Sequence, residues 1–151
     1  YKRQKYGPVV VGVDGSEVSQ KATAYAFREA QARGAALIAV HTWMDMQVQA
    51  SLAGLSAAQS EWADIEKEQS ELLTENLKEP REEYPEVEVK KLITRDRPVS
   101  ALTEAAEGAQ LLVVGSHGRG GFKGMLLGST SRALLQSAPC PMMVVRPDEE
   151  S

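Results

Sequence analysis

Pro8-Val-Val-Val-Gly-Val13, followed by Asp14-Gly15-Ser16, is the stretch on which the fold turns. Its first six residues form a short, β-branched apolar run of the kind that makes a fully buried strand, and the Asp-Gly-Ser that ends it is turn chemistry. Ser16 is placed to be a helix N-cap; beyond it Ala22, Tyr25, Ala26 and Ala30 recur at helical spacing until Gly34 supplies a stop. Ala36 to Thr42 is a second apolar run, again read as a strand. Buried strands joined by a helix are parallel, linked by right-handed crossovers and covered on both faces.

The same alternation continues outward. Trp43 to Leu55 has no clear period and reads as a loop or lid. Ser56-Ala-Ala-Gln59 has capping-box form. After it Trp62, Ile65, Leu72 and Leu73 draw an apolar stripe on a charged helix running to about Lys78, with Pro80 and Pro85 bracketing its exit. Val87 to Ile93 makes a third strand. Pro98 suits a first helical position, Val99, Leu102, Ala105 and Ala106 form the stripe of that helix, and Gly108 closes it. Gln110 to Val114 is a fourth strand, a further helix starts near Ser129 and stops before Pro139, and Met142 to Val145 is a fifth strand. The expected architecture is α/β: a doubly wound, open, parallel five-stranded sheet with helices on both faces. No repeat, low-complexity tract or linker divides the chain, so a single domain over 1–151, with a core over about 8–147, is expected.

The 151 residues suit one domain with a real core, and 42% hydrophobic with 25% charged residues is an ordinary globular balance. The net charge of −4 disfavours a general polyanion binder, so no nucleic-acid partner is expected. No apolar run approaches the ~18 residues of a membrane span and no signal-peptide pattern follows the charged start, which points to a soluble, cytoplasmic protein with no membrane partner. The one cysteine, Cys140 between Pro139 and Pro141, cannot form an intrachain disulfide and reads as packing. The chain begins at Tyr1 rather than Met, which fits a processed product or one domain of a longer, tandem protein.

Charge is unevenly distributed. Residues 61–90 hold eleven acids against Lys67, Lys78, Arg81 and Lys90, whereas residues 108–147 hold no acid and four bases, Arg119, Lys123, Arg132 and Arg146. That basic window contains the glycines. In open α/β sheets ligands bind outside the carboxyl ends of the strands, where the strand order switches. This directs attention to Gly12, Asp14 and Gly15 after the first strand, His41 and Thr42 at the end of the second, and Gly115 to Thr130 after the fourth. Glycines let successive backbone N–H groups approach an anion, and Gly128-Ser129-Thr130 lies at a helix start, where unpaired N–H groups and the helix dipole favour negative charge. Phosphate recognition is the natural use. A P-loop string is absent, and Gly118-Arg-Gly120-Gly-Phe-Lys123 fails the dinucleotide fingerprint at its last place.

The spacing Gly115-x2-Gly118-x9-Gly128-Ser129 resembles the nucleotide motif of ATP-binding universal stress proteins. The likeness extends to Val-Gly-Val-Asp14-Gly-Ser, to Val113 through Gly121, to Leu126-Leu-Gly-Ser129 and to Cys140-Pro-Met-Met-Val-Val-Arg146, and so covers residues 8–147. It implies a Rossmann-like sheet of strand order 3-2-1-4-5. It further implies that Asp14 faces the ribose or a phosphate-bound Mg, with Gly12 close to base and ribose and Val13 joining them. Thr42 would present backbone groups to the adenine edge. Val114 and Gly115 would line the ribose and α-phosphate, and Gly118, Gly128, Ser129 and Thr130 would hold phosphates. His117 faces solvent unless a phosphate comes near it, and a phosphate role for Arg119 and Lys123 rests on their charge and position.

The ligand so implied is ATP, or ADP or AMP, with Mg, in a regulatory or stress-response module. A slow ATPase or a phosphoryl- or nucleotidyl-transferring enzyme is the alternative. Phosphoryl transfer needs a metal clamp and a residue orienting the nucleophile, and Asp14 is the one evident carboxylate near the loop, so fast turnover is not expected. A phosphorelay receiver has the same strand count, but Asp14 stands alone after the first strand and no Lys follows the fifth. A nucleotide-free dimeric scaffold is the remaining reading. The family pairs its last strand across a dimer axis, which implies a homodimer through 142–145, or a pseudo-dimer with a sister domain, and would cover an otherwise exposed apolar edge.

Overall fold

The computed structural model describes residues 7–42, 59–94, 97–116 and 129–147; of 59–63 and 129 it describes the backbone only. The strands are β1 (Val9–Gly12), β2 (Leu37–Thr42), β3 (Val89–Thr94), β4 (Leu111–Gly115) and β5 (Met142–Val145). Between them run α1 (Glu17–Arg33), α2 (Gln59–Glu83), α3 (Pro98–Ala106) and α4 (Ser129–Ser137). The sheet order is β3-β2-β1-β4-β5 and every pairing is parallel, as the sequence led us to expect. The switch in direction lies between β1 and β4.

Alternation along β1 builds the two faces of the core, because successive side chains of a strand point to opposite sides. Val9 and Val11 join a cluster with Ala22, Ala26, Phe27 and Ala30 of α1 and Leu73 and Leu77 of α2. Val10 joins the opposite cluster with Ala101, Leu102 and Ala106 of α3 and Leu134 of α4. Helices α1 and α2 therefore cover one face and α3 and α4 the other. Each fully buried Val, Leu or Phe side chain contributes roughly 1.5–3 kcal/mol relative to exposure.

Two local expectations about α2 are corrected. Its buried stripe is not Leu72 with Leu73: Leu72 is 50% exposed, whereas Gln69, Leu73 and Leu77 are buried and Ile65 is half-buried. Steps of four residues keep one helical face, and Leu72 is out of phase with them. The helix also runs past Lys78 and through Pro80 to Glu83. Proline removes one N–H, yet the last turn persists; after it the Tyr84 N–H donates to the Pro80 carbonyl (2.9 Å) and the Tyr84 ring stacks 6.3 Å from Phe27. The capping box at Ser56, the loop from Trp43 to Leu55 and the Trp62 side chain fall outside the described residues.

Cys140 is a free, partly buried thiol beside the α3–α4 cluster, and burial pushes its pKa up. Among the described residues no helix is long and apolar enough to cross a membrane.

Candidate functional site

All five strands are parallel, so Gly12, Thr42, Thr94, Gly115 and Val145 end at one edge of the sheet. The turn leaving β1 is tightly specified. Asp14 Oδ1 accepts from the Ser16 N–H (2.9 Å) and the Ser16 hydroxyl (2.6 Å), an Asx-turn whose middle residue, Gly15, stands at φ +85°, where glycine is favoured. Ser16 is then the N-cap of α1, its Oγ accepting from the Ser19 N–H (3.1 Å). Ser19 closes the ring: its Oγ accepts from the Asp14 N–H (3.0 Å). One carboxylate oxygen of Asp14 is thus used by the turn, and Oδ2 has no hydrogen-bond partner among the described residues. That oxygen could ligate a nucleotide-bound cation or accept from a ribose hydroxyl.

Val13 is held from both sides. Its N–H donates to the Val40 carbonyl (2.8 Å) and its own carbonyl accepts from His41 Nδ1 (2.7 Å). The other ring nitrogen, Nε2, lies 2.7 Å from Oε1 of the buried Gln69. His41 is therefore a satisfied structural histidine rather than a free base. Val13 is 4% exposed, and its side chain belongs to the core.

The end of β4 meets both helix starts. Its last residue, Gly115, has no room for a side chain: a Cβ there would stand 2.7 Å from Val18 Cγ1 in the first turn of α1. The Gly115 carbonyl accepts from Ser131 Oγ (2.6 Å), which pins the first turn of α4 to β4, and the buried Ser116 donates its N–H to the Val145 carbonyl (2.7 Å). Across the switch, a Cβ on Gly12 would lie 3.6 Å from Val114 Cγ1.

Of the residues the sequence singled out, Gly12, Val13, Asp14, Val114, Gly115 and the backbone of Ser129 and Thr130 converge on this β1/β4 edge. Val114 is 4% exposed and packs into the α3–α4 cluster, so its side chain belongs to the core. Thr42 ends the neighbouring β2, half-buried and paired with Thr94. His117, Gly118, Arg119, Lys123 and Gly128 lie outside the described residues, as does the Ser129 side chain. Sequence reasoning did not single out Ser19, Gln69 or Ser131. Ser131 was hidden in a run of hydroxyl residues, and Gln69 is a polar residue at an apolar stripe position, which is itself the signal that could have found it.

Fold and site together define a doubly wound α/β domain whose candidate ligand edge is the switch between β1 and β4. The family model described as the universal stress protein family matches residues 5–146. A universal stress protein of Mycobacterium tuberculosis is 47% identical over 144 residues, covering 95% of this chain and 45% of the relative. The structure of a universal stress protein UspA from Lactobacillus plantarum superposes with a TM-score of 0.73 at 23% identity, covering 93% of this chain and 98% of that one. A universal stress protein solved in complex with cAMP superposes with a TM-score of 0.62 at 25% identity, covering 93% and 97%. The chain belongs to the universal stress protein family. It spans less than half the length of the mycobacterial relatives it matches.

Proposed function

We propose that this chain binds an adenine nucleotide, ATP or its products ADP and AMP, at the β1/β4 edge and acts as a nucleotide-responsive regulatory domain. The observation that carries the reading is the convergence of Asp14, Gly115 and the first turn of α4 at the sheet's switch point, with the spacing Gly115-x2-Gly118-x9-Gly128-Ser129 joining the last two. The α4 N-terminus favours phosphate, and Arg132 is exposed in its first turn. In this reading Asp14 offers Oδ2 to a Mg ion or a ribose, and Thr42, at the end of the neighbouring β2, offers backbone groups to the adenine edge. The family member solved with cAMP supports an adenine ligand. Met142, Met143 and Val144 are half-buried on the outer strand, and we assign β5 as the strand through which two copies, or this domain and a sister domain, pair. Mass spectrometry of ligand retained after gentle purification tests the nucleotide reading: released AMP, ADP or ATP at near-stoichiometric level supports it. A chain that emerges empty and cannot be loaded with millimolar nucleotide contradicts it.

A further inference from the structure

We propose that His41 is a positioning residue: by bonding the Val13 carbonyl it fixes the turn that carries Asp14, and so sets the nucleotide affinity of the β1/β4 edge. The affinity half of this inference rests on the proposed nucleotide reading; the positioning half does not. Val13 follows the last residue of β1, and the donor its carbonyl receives is a side chain, the His41 ring at 2.7 Å. The next N–H, that of Asp14, is likewise held by a side chain, Ser19 Oγ at 3.0 Å. Both polar groups of the Val13–Asp14 peptide are thereby anchored, and the direction in which the Asp14 side chain leaves the backbone follows from that peptide.

The ring is itself anchored. A backbone carbonyl only accepts, so Nδ1 carries a proton. Nε2 then either accepts from the Gln69 amide in the neutral ring or donates to Gln69 Oε1 in the charged one, and both states have a partner. Gln69 occupies a core position of α2 in line with Leu73 and Leu77, where an apolar side chain would bury without cost. A polar residue there makes sense as the second hold on His41. With both nitrogens 2.7 Å from the protein's own groups, the ring is not open to act as a general base. What it does is join three elements, β1, β2 and α2, at the residue preceding Asp14.

Partial mimics separate this role from simple packing. His41→Leu removes both hydrogen bonds. His41→Asn returns a donor at the Nδ1 position alone, and His41→Gln returns a group at the Nε2 position alone. Amide hydrogen exchange by NMR at Asp14 and Ser16 in the ligand-free chain, together with calorimetric affinity for AMP and for ATP with Mg, reads the outcome. His41→Leu and His41→Gln are expected to speed exchange at both amides, and to weaken nucleotide binding, by about tenfold. His41→Asn is expected to recover most of both losses, whatever the variants do to the melting temperature. Equal effects of His41→Asn and His41→Gln on exchange, or none, overturn the proposal. Variants that show the exchange difference, alongside a native chain that takes up no nucleotide, support the positioning role and overturn the nucleotide reading alone.

Discussion

Asp14 is a side chain that the fold uses and the proposed ligand would share. Oδ1 is taken by Ser16 and Oδ2 is the oxygen the proposed nucleotide would use. Asn keeps an oxygen for the turn but removes the charge, so Asp14→Asn is expected to leave the denaturation midpoint nearly unchanged while weakening binding of ATP with Mg at least tenfold, by calorimetry. Asp14→Ala removes both functions and is expected to lose about 1 kcal/mol of stability as well, the usual size of a lost local hydrogen bond. Gly115 carries a steric prediction. Because an added Cβ would stand 2.7 Å from Val18 Cγ1, Gly115→Ala should destabilise by about 1–3 kcal/mol in urea unfolding, and the double change with Val18→Ala should recover much of that loss. The Asp14-Gly15-Ser16 turn was legible in the sequence because its residue types are those an Asx-turn demands. The hold of His41 on Val13 was not, since it joins residues 28 apart through a side-chain bond that no local pattern encodes.

At the scale of the element, strands were the most legible: a β-branched run bounded by turn residues leaves little freedom of placement, and β5 falls on the residues expected, Met142–Val145. Helix α2 was harder. Its charged composition hides the stripe, and the polar Gln69 interrupts it, so the adjacent leucines invited the wrong phase. The corrected phase makes a sharp contrast: Leu73→Ala should cost about 2–5 kcal/mol, whereas Leu72→Ala, at a half-exposed position, should stay within about 0.5 kcal/mol. The exit of α2 is not legible because the sequence shows Pro80 but neither the Tyr84 N–H bond to its carbonyl nor the Tyr84–Phe27 ring contact that follow it. For α1, Ser16→Ala removes the N-cap and a donor to Asp14. A loss of about 1 kcal/mol is expected, read as a fall in melting temperature of roughly 2–4 °C.

At the scale of the whole molecule, the strand order places the end of β1 beside that of β4, and so brings residues about 100 positions apart in the chain to one edge. Periodicity supplies the elements but no order among them; the order became legible through the resemblance of the glycine-rich half to a family. The net charge of −4 conceals a segment without acids, and Arg132 and Arg146, both exposed, lie at the start of α4 and just past the end of β5. Cys140 belongs to packing rather than chemistry. Its thiol is raised by burial, so iodoacetamide at pH 8 should label it more slowly in the native chain than in the unfolded one.

Adenine-nucleotide binding at the β1/β4 edge is decided by isothermal titration of the native chain with ATP, ADP and AMP in the presence of Mg. Saturable binding of one nucleotide per chain is expected, weakened at least tenfold for ATP with Mg by Asp14→Asn. No measurable binding of any of the three at millimolar concentration, or binding indifferent to Asp14, would contradict it.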